Sequence, residues 1–153
     1  MIKLKSLILN ILLSVGTGLL SSVLTGNFSS LYQDVNRPAF APPAWLFPVV
    51  WSILYVLMGI SAYIIGESDS NVKSSALAVY YVQLAVNFLW SPLFFVFKFY
   101  WFSFFWLLLL WVLVLVIIIK FFKINKSAAY LQIPYLIWLT FAAYLNLSVA
   151  ILN

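Results

Sequence analysis

Five long apolar stretches, at roughly residues 6–25, 45–65, 76–97, 100–120 and 128–150, dictate what this chain can become. Each is close to the ~20 residues an α-helix needs to cross the hydrocarbon core of a bilayer. A transmembrane β-barrel would show alternating segments of ~10 residues instead, and Leu107 to Ile119 has no such alternation. Charged residues make up 7% of the 153, against about a quarter in a soluble domain. The expected fold is an all-α integral membrane protein, a five-transmembrane-helix bundle forming one domain over residues 1–153. The first stretch follows Lys3 and Lys5 as a signal peptide would. It is long for one, and no Ala-x-Ala cleavage pattern follows, so it reads as a retained span.

The basic residues predict an orientation. With five spans, Lys3, Lys5, Lys73, Lys120, Lys123 and Lys126 fall on one side, and only Arg37 and Lys98 on the other. That asymmetry places the N-terminus in the cytoplasm, and the C-terminus and the loop at 26–44 outside. The net charge of +5 is this topology signal and implies no nucleic-acid partner.

The chain has no cysteine and no histidine. Disulfides, thiolate catalysis, histidine general-base chemistry and the usual zinc and haem ligand sets are thereby excluded. The acidic residues, Asp34, Glu67 and Asp69, all fall in loops. No intramembrane carboxylate is present to relay protons or hold a coupling ion, as pumps and many transporters require.

The segment from Pro38 to Trp51 carries Pro38, Pro42, Pro43 and Pro48 at the mouth of the second span. The first three cannot sit inside a continuing helix, because each lacks an N–H and restricts the residue before it. An ordered, extended lid over about 26–44 is expected, with Pro48 in the first turns of the helix that follows. The connection from Gly66 to Ser75 reads as a plain polar link.

Inside the membrane the third span carries Gln83 and Asn87, four residues apart and so on one face, which Trp90, Ser91 and Phe94 continue. An amide in hydrocarbon needs a partner, so this face points inward, either as glue between helices or as ligand contact. The second span lines up Trp51, Tyr55, Met58 and Ala62. The fifth lines up Trp138, Ala142, Leu145 and Val149, with Pro134 bending the axis a turn earlier. Trp51 and Trp138 lie deeper than the headgroup belt where tryptophan usually collects. These stripes serve core packing or wall an aromatic cavity beneath the lid, suited to a flat, largely apolar ligand. Ser14, Gly18, Ser22 and Gly26 form a small-residue stripe on the first span, available for internal packing or a dimer seam.

Three motifs resemble one family. Pro38-Ala-Phe-Ala-Pro-Pro-Ala-Trp-Leu-Phe-Pro-Val-Val-Trp-Ser-Ile-Leu-Tyr is similar to the hallmark of the translocator protein family, also called tryptophan-rich sensory proteins (TspO/MBR). Gln83-Leu-Ala-Val-Asn-Phe-Leu-Trp-Ser-Pro-Leu-Phe-Phe and Pro134-Tyr-Leu-Ile-Trp-Leu-Thr-Phe-Ala-Ala-Tyr-Leu-Asn resemble its third and fifth helices. The resemblance covers almost the whole chain. It implies a bacterial cell-membrane protein, a homodimeric bundle with a cavity beneath the first loop, and binding of porphyrins and synthetic isoquinoline carboxamide ligands. It further implies light-dependent degradation of protoporphyrin IX, with Trp51 and Trp138 as the redox-active indoles. Asn87, Trp90, Ala142 and Leu145 would line the pocket and Tyr32 would stand near the lid; Pro42, Pro43, Tyr55 and Ser91 complete the expected ligand-binding set. One departure concerns sterols: after Leu139 and Tyr144 no Lys or Arg follows before Asn153. The reversed pattern Lys126, Tyr130, Leu136 is of a kind that arises readily by chance.

With no histidine or cysteine for iron, a metal-free porphyrin is the expected ligand, and no tightly bound cofactor or metal is expected. Two functions follow as expectations. One is porphyrin binding with photo-oxidative breakdown; the other is a non-catalytic tetrapyrrole or stress sensor, or a carrier of porphyrin or lipid.

Overall fold

The apolar stretches fold as helices throughout. The computed structural model describes residues 1–153 and comprises α1 (Leu4–Thr25), α2 (Phe28–Gln33), α3 (Leu46–Gly66), α4 (Lys73–Ser91), α5 (Tyr100–Phe122) and α6 (Lys126–Leu152), with no strand. A π-helical turn, Pro92–Val96, extends α4. All except α2 are long and apolar enough to cross a membrane, so the chain is a multi-pass membrane protein.

The five long helices close into a ring. α1 packs on α3, α3 on α6, α6 on α5, α5 on α4, and α4 returns to α1. Met58, Ile65, Tyr80, Leu107, Leu110 and Leu139 are buried at its centre. Outward-facing leucines of α1, such as Leu12 and Leu20, are exposed and meet lipid. The face of α4 carrying Ala78, Val82, Ala85 and Leu89 is exposed in the same way.

Small residues and rescued carbonyls hold the ring. A Cβ on Gly59 would lie 2.5 Å from the Ile11 Cα, so only glycine permits this crossing of α1 and α3. Beside it the Ser14 hydroxyl donates to the Tyr55 carbonyl at 2.6 Å. A Cβ on Gly18 would strike the Tyr55 ring at 2.3 Å. Half of the small-residue stripe is thus spent on packing within the chain. Pro92 has no N–H and leaves the Phe88 carbonyl without its helical donor; Ser21 Oγ supplies one at 2.8 Å. A turn on, Thr25 and Ser91 share a hydroxyl hydrogen bond of 2.8 Å. Ser61 Oγ donates to the Ala128 carbonyl at 2.8 Å, joining α3 to α6. Trp106 Nε1 donates to the Val86 carbonyl at 2.8 Å, joining α5 to α4.

The end remote from the lid is not the plain link expected. Lys3 pairs with Glu67 at 2.8 Å, and Ser6 Oγ donates to the same carboxylate at 3.1 Å. The Lys3 hydrogen bond holds the Glu67 carboxyl below its ordinary value, and Glu67 in turn raises the Lys3 ammonium. Lys73 Nζ donates to the carbonyls of Gly66 at 3.0 Å and Ser68 at 2.8 Å, closing the C-terminus of α3.

The lid differs from the extended strap that its prolines predict. Gly26, at φ 87, turns the chain out of α1, and Asn27 caps the six-residue α2 by accepting from the Ser30 N–H at 3.2 Å. Only beyond α2 do the prolines enforce non-helical backbone. Tyr32 donates its hydroxyl to the Pro42 carbonyl at 2.6 Å, and the Arg37 guanidinium sits 4.6 Å over the Tyr32 ring. The far side of the lid is tied to the end of α6: Asn36 donates to Asn153 Oδ1 at 3.2 Å, and Asn153 Nδ2 donates to the Asn36 carbonyl at 3.0 Å. Pro48 is the third residue of α3, where its missing N–H leaves no intrahelical carbonyl unpaired.

Candidate functional site: a divided aromatic cavity

Beneath the lid, α1, α3 and α4 enclose a chamber of about 430 Å³. Its inner wall is Trp51 and Tyr55 from α3 and Asn87, Trp90 and Ser91 from α4, with Phe28 and Phe47 at the lid end. Trp51 and Tyr55, one turn apart, stack at 5.6 Å with 28° between their planes. The opposite wall belongs to α1, through Gly18, Ser21, Ser22 and Thr25. Leu19, Ser22 and Ser52 line the chamber and are also exposed, so its mouth opens sideways between α1 and α3. No charged side chain lines it.

The remaining expected site residues lie elsewhere. Tyr32, Ala142 and Leu145 face a crevice of about 30 Å³, together with Arg37, Pro38 and Phe94. That is the share of one water molecule. Phe47 and Trp90 line both spaces and form the partition. Trp138 borders neither. It lies along a shallow apolar groove between α3 and α6, beside Val50, Leu54 and Phe141, with Phe47 edge-on at 5.6 Å. Its indole N–H is buried without an acceptor. Pro42 acts through its carbonyl on Tyr32, whereas Pro43 lines none of these spaces. The expected site is therefore two neighbouring spaces, and Trp51 and Trp138 do not share a wall.

A buried chain of hydrogen bonds underlies the chamber. The Tyr55 hydroxyl donates to Asn87 Oδ1. Asn87 Nδ2 donates to the Tyr135 hydroxyl at 2.7 Å, and that hydroxyl donates to Gln83 Oε1 at 2.8 Å. The chain stitches α3, α4 and α6 together, so Gln83 and Asn87 are both glue and, for Asn87, chamber wall. A second chain fixes the partition: Trp90 Nε1 donates to Asn146 Oδ1 at 3.0 Å, and Asn146 Nδ2 donates to the Tyr100 carbonyl at 2.8 Å. Tyr135 and Phe47 join the site without being among the residues expected from the sequence. Tyr135 has a detectable signal, since it lies three residues before Trp138 and follows Pro134; Phe47 has none beyond its place at the helix start.

No cluster of His, Cys, Asp or Glu could hold a metal ion. Tyr32, outside the spans, has its hydroxyl pushed above the ordinary range by burial, with Arg37 opposing. Chemically, the chamber offers aromatic faces, hydroxyls and the amides of Asn27 and Asn87.

The comparisons with known proteins agree among themselves. The model of the TspO/MBR family matches residues 10–152. Protein CrtK of Rhodobacter capsulatus is 39% identical over 124 residues, 80% of this chain and 78% of that protein. The tryptophan-rich sensory protein of Cereibacter sphaeroides is 37% identical over 122 residues, 80% of this chain and 76% of its own length. Tryptophan-rich protein TspO of Archaeoglobus fulgidus is 34% identical over 148 residues, 96% of both chains.

Proposed function

The chain belongs to the TspO/MBR family of membrane proteins, and from that premise we propose that it binds protoporphyrin IX and hydrophobic, drug-like aromatic ligands within the bundle and promotes light-dependent oxidation of the porphyrin. The observation that carries this reading is the Trp51–Tyr55 stack facing an uncharged chamber whose buried polar residues include Asn87, Ser21 and Thr25. Stacking on rigid indole and phenol faces suits a flat conjugated ring, and a few polar groups set its orientation. Light supplies the driving force and molecular oxygen the oxidant. Trp51, in contact with the ring, donates an electron to the excited porphyrin, and the reduced ring passes it to oxygen as superoxide. The indole radical recovers an electron from the ring, and superoxide adds to the oxidised ring, so that the net change is addition of oxygen to the porphyrin. Trp138 would take part only if ligand entry brings the macrocycle past Phe47. The protein works as a homodimer in a bacterial cell membrane with its N-terminus cytoplasmic, and the exposed Ala78, Val82, Ala85 face of α4 is the smooth surface available as a seam.

The test is an absorbance time course of the purified protein with protoporphyrin IX, in light and dark, beside Trp51→Phe and Trp138→Phe. A product band formed only in light, only with protein, and lost in Trp51→Phe is expected. Turnover equal to wild type in both variants overturns the indole mechanism.

A second reading, a sensor or carrier without chemistry, is favoured by one observation: Trp138 lines the α3/α6 groove and not the chamber. Saturable quenching of tryptophan fluorescence with no light-dependent product would select it.

A further inference from the structure

The two residues dividing the cavity are held very differently. Trp90 is fixed by its hydrogen bond to Asn146 and stacks on Phe94 at 5.6 Å. Phe47 has no polar atom and is held by ring contacts alone, 5.0 Å from Tyr32, 5.4 Å from Phe28 and 5.6 Å from Trp138. It is the second residue of α3, directly after the proline-rich lid. Moving Phe47 breaks no hydrogen bond; it gives up ring contacts worth about 0.5–1.5 kcal/mol each, which an entering aromatic ligand can replace. Moving Trp90 would strand a buried indole N–H and an amide oxygen.

Charge is divided along the same line. The chamber has no charged lining, whereas the crevice has one cation, Arg37. The chamber's 430 Å³ lies in the lower half of the range of about 300–1,000 Å³ that suits drug-sized ligands. A macrocycle with two propionate arms is too large for it, and the crevice is too small to help while it stays closed.

We propose that Phe47 is a gate that determines which ligands the site takes. With its ring in place, the chamber accepts compact, neutral aromatic molecules entering between α1 and α3. With the ring swung aside, chamber and crevice become one slot, and a flat ligand lies with its ring on Trp51 and Tyr55 and a carboxylate arm on Arg37. Guanidinium and carboxylate pair through charge-assisted hydrogen bonds. The identification of the large ligand as a tetrapyrrole rests on the function proposed above; the gate itself does not.

The experiment compares wild type, Phe47→Ala, Phe47→Leu and Arg37→Gln in lipid nanodiscs, following association by stopped-flow tryptophan quenching. The probes are protoporphyrin IX, its dimethyl ester, and an isoquinoline carboxamide with and without an added carboxylate arm. Phe47→Ala is expected to speed porphyrin association about tenfold, equivalent to 1.4 kcal/mol of barrier. Association of the unmodified carboxamide should stay within about twofold. Phe47→Leu, which keeps most of the packing, should fall between. Arg37→Gln should weaken the free-acid porphyrin about tenfold and leave the ester unchanged. Porphyrin association unchanged in both Phe47 variants overturns the gate, as does equal loss of acid and ester in Arg37→Gln. If wild type binds no porphyrin at all, the proposed function fails. The carboxamide pair then decides the gate alone, since only the armed compound should respond to Phe47→Ala and Arg37→Gln.

Discussion

Ser21 on α1 donates its hydroxyl, at 2.8 Å, to the carbonyl of Phe88 on α4, the acceptor that Pro92 leaves unserved. A backbone group in hydrocarbon must find a partner within the protein, so the proline's defect in one helix becomes the contact that recruits another. The α1–α4 side of the ring, and with it a wall of the chamber, depends on this exchange.

Ser21→Ala should therefore destabilise by about 1 kcal/mol, the net worth of a hydrogen bond with some cost for an unpaired carbonyl. In a Pro92→Ala background the helix supplies its own N–H, and the same substitution should cost close to nothing. Denaturation in detergent of the four proteins gives the coupling. Strict additivity would show that Ser21 and Pro92 are unrelated.

Gly59→Ala should lower stability by about 1–3 kcal/mol, the usual cost of overpacking, because its Cβ would meet the backbone of Ile11 at 2.5 Å and the Asn10 carbonyl oxygen at 2.9 Å. Gly16 lies in the interior of α1 with nothing within 4 Å of an added Cβ, so Gly16→Ala should stabilise by about 0.5–1 kcal/mol. Thermal melts of the pair check the contrast, and similar shifts for both would refute the tight crossing.

Asn146→Leu leaves the buried Trp90 indole N–H unpaired, a loss of about 1–3 kcal/mol, while the Tyr100 carbonyl keeps the Ser103 hydroxyl as donor. It should also free the Trp90 ring. In a variant retaining Trp90 as the reporting tryptophan, fluorescence anisotropy should fall on Asn146→Leu. An unchanged anisotropy would mean that packing on Phe94, not the amide, orients the indole.

The Lys3–Glu67 pair should give the first turn of α1 a defined pH response. Glu67 is depressed in the folded protein, so its contribution is present above the ordinary carboxylate value and is lost as pH falls through the lower folded value. Lys3 is raised, so its contribution is complete below the ordinary lysine range and is lost as pH rises through the higher folded value. Hydrogen exchange, corrected for intrinsic rates, should show most protection of this turn between those limits, and Lys3→Gln should flatten the profile. A pair this exposed is screened by salt, so the response should also weaken at high ionic strength.

How much of this was legible in the sequence follows the physics of each part. The spans were legible because a 20-residue apolar run in a nearly uncharged chain has few other fates. That Trp51 shares a face with Tyr55, and Asn87 with Trp90 and Ser91, was legible because three- and four-residue spacing puts them on one face of a straight helix; whether those faces wall a chamber or only pack the core, spacing leaves open. α2 has only a weak signal, since six residues are too few to show periodicity and the prolines at 38–43 argue for extended chain nearby, although Asn27 followed by Phe28, Leu31 and Tyr32 is an N-cap with an apolar helical face. The turning of Trp138 away from the chamber was not legible. Spacing along α6 fixes its angle relative to Ala142, but whether that stripe faces α4 or the seam with α3 depends on how the helix is rotated in the ring. The partition by Phe47 was illegible for a similar reason, since it depends on where the lid folds back.

The hydrogen-bond chain beneath the chamber runs in one direction, from Tyr55 through Asn87 and Tyr135 to Gln83. Each tyrosine hydroxyl spends its single hydrogen within the chain, and reversing the Tyr55–Asn87 link requires turning over the Asn87 amide. Seen from the chamber, the Tyr55 oxygen has its proton already committed and presents lone pairs. At that oxygen the floor of the site takes hydrogens and does not give them. A guest that brings its own N–H is matched there, and one that brings acceptors must turn to other groups of the lining, such as the Ser22 hydroxyl or the Asn27 amide.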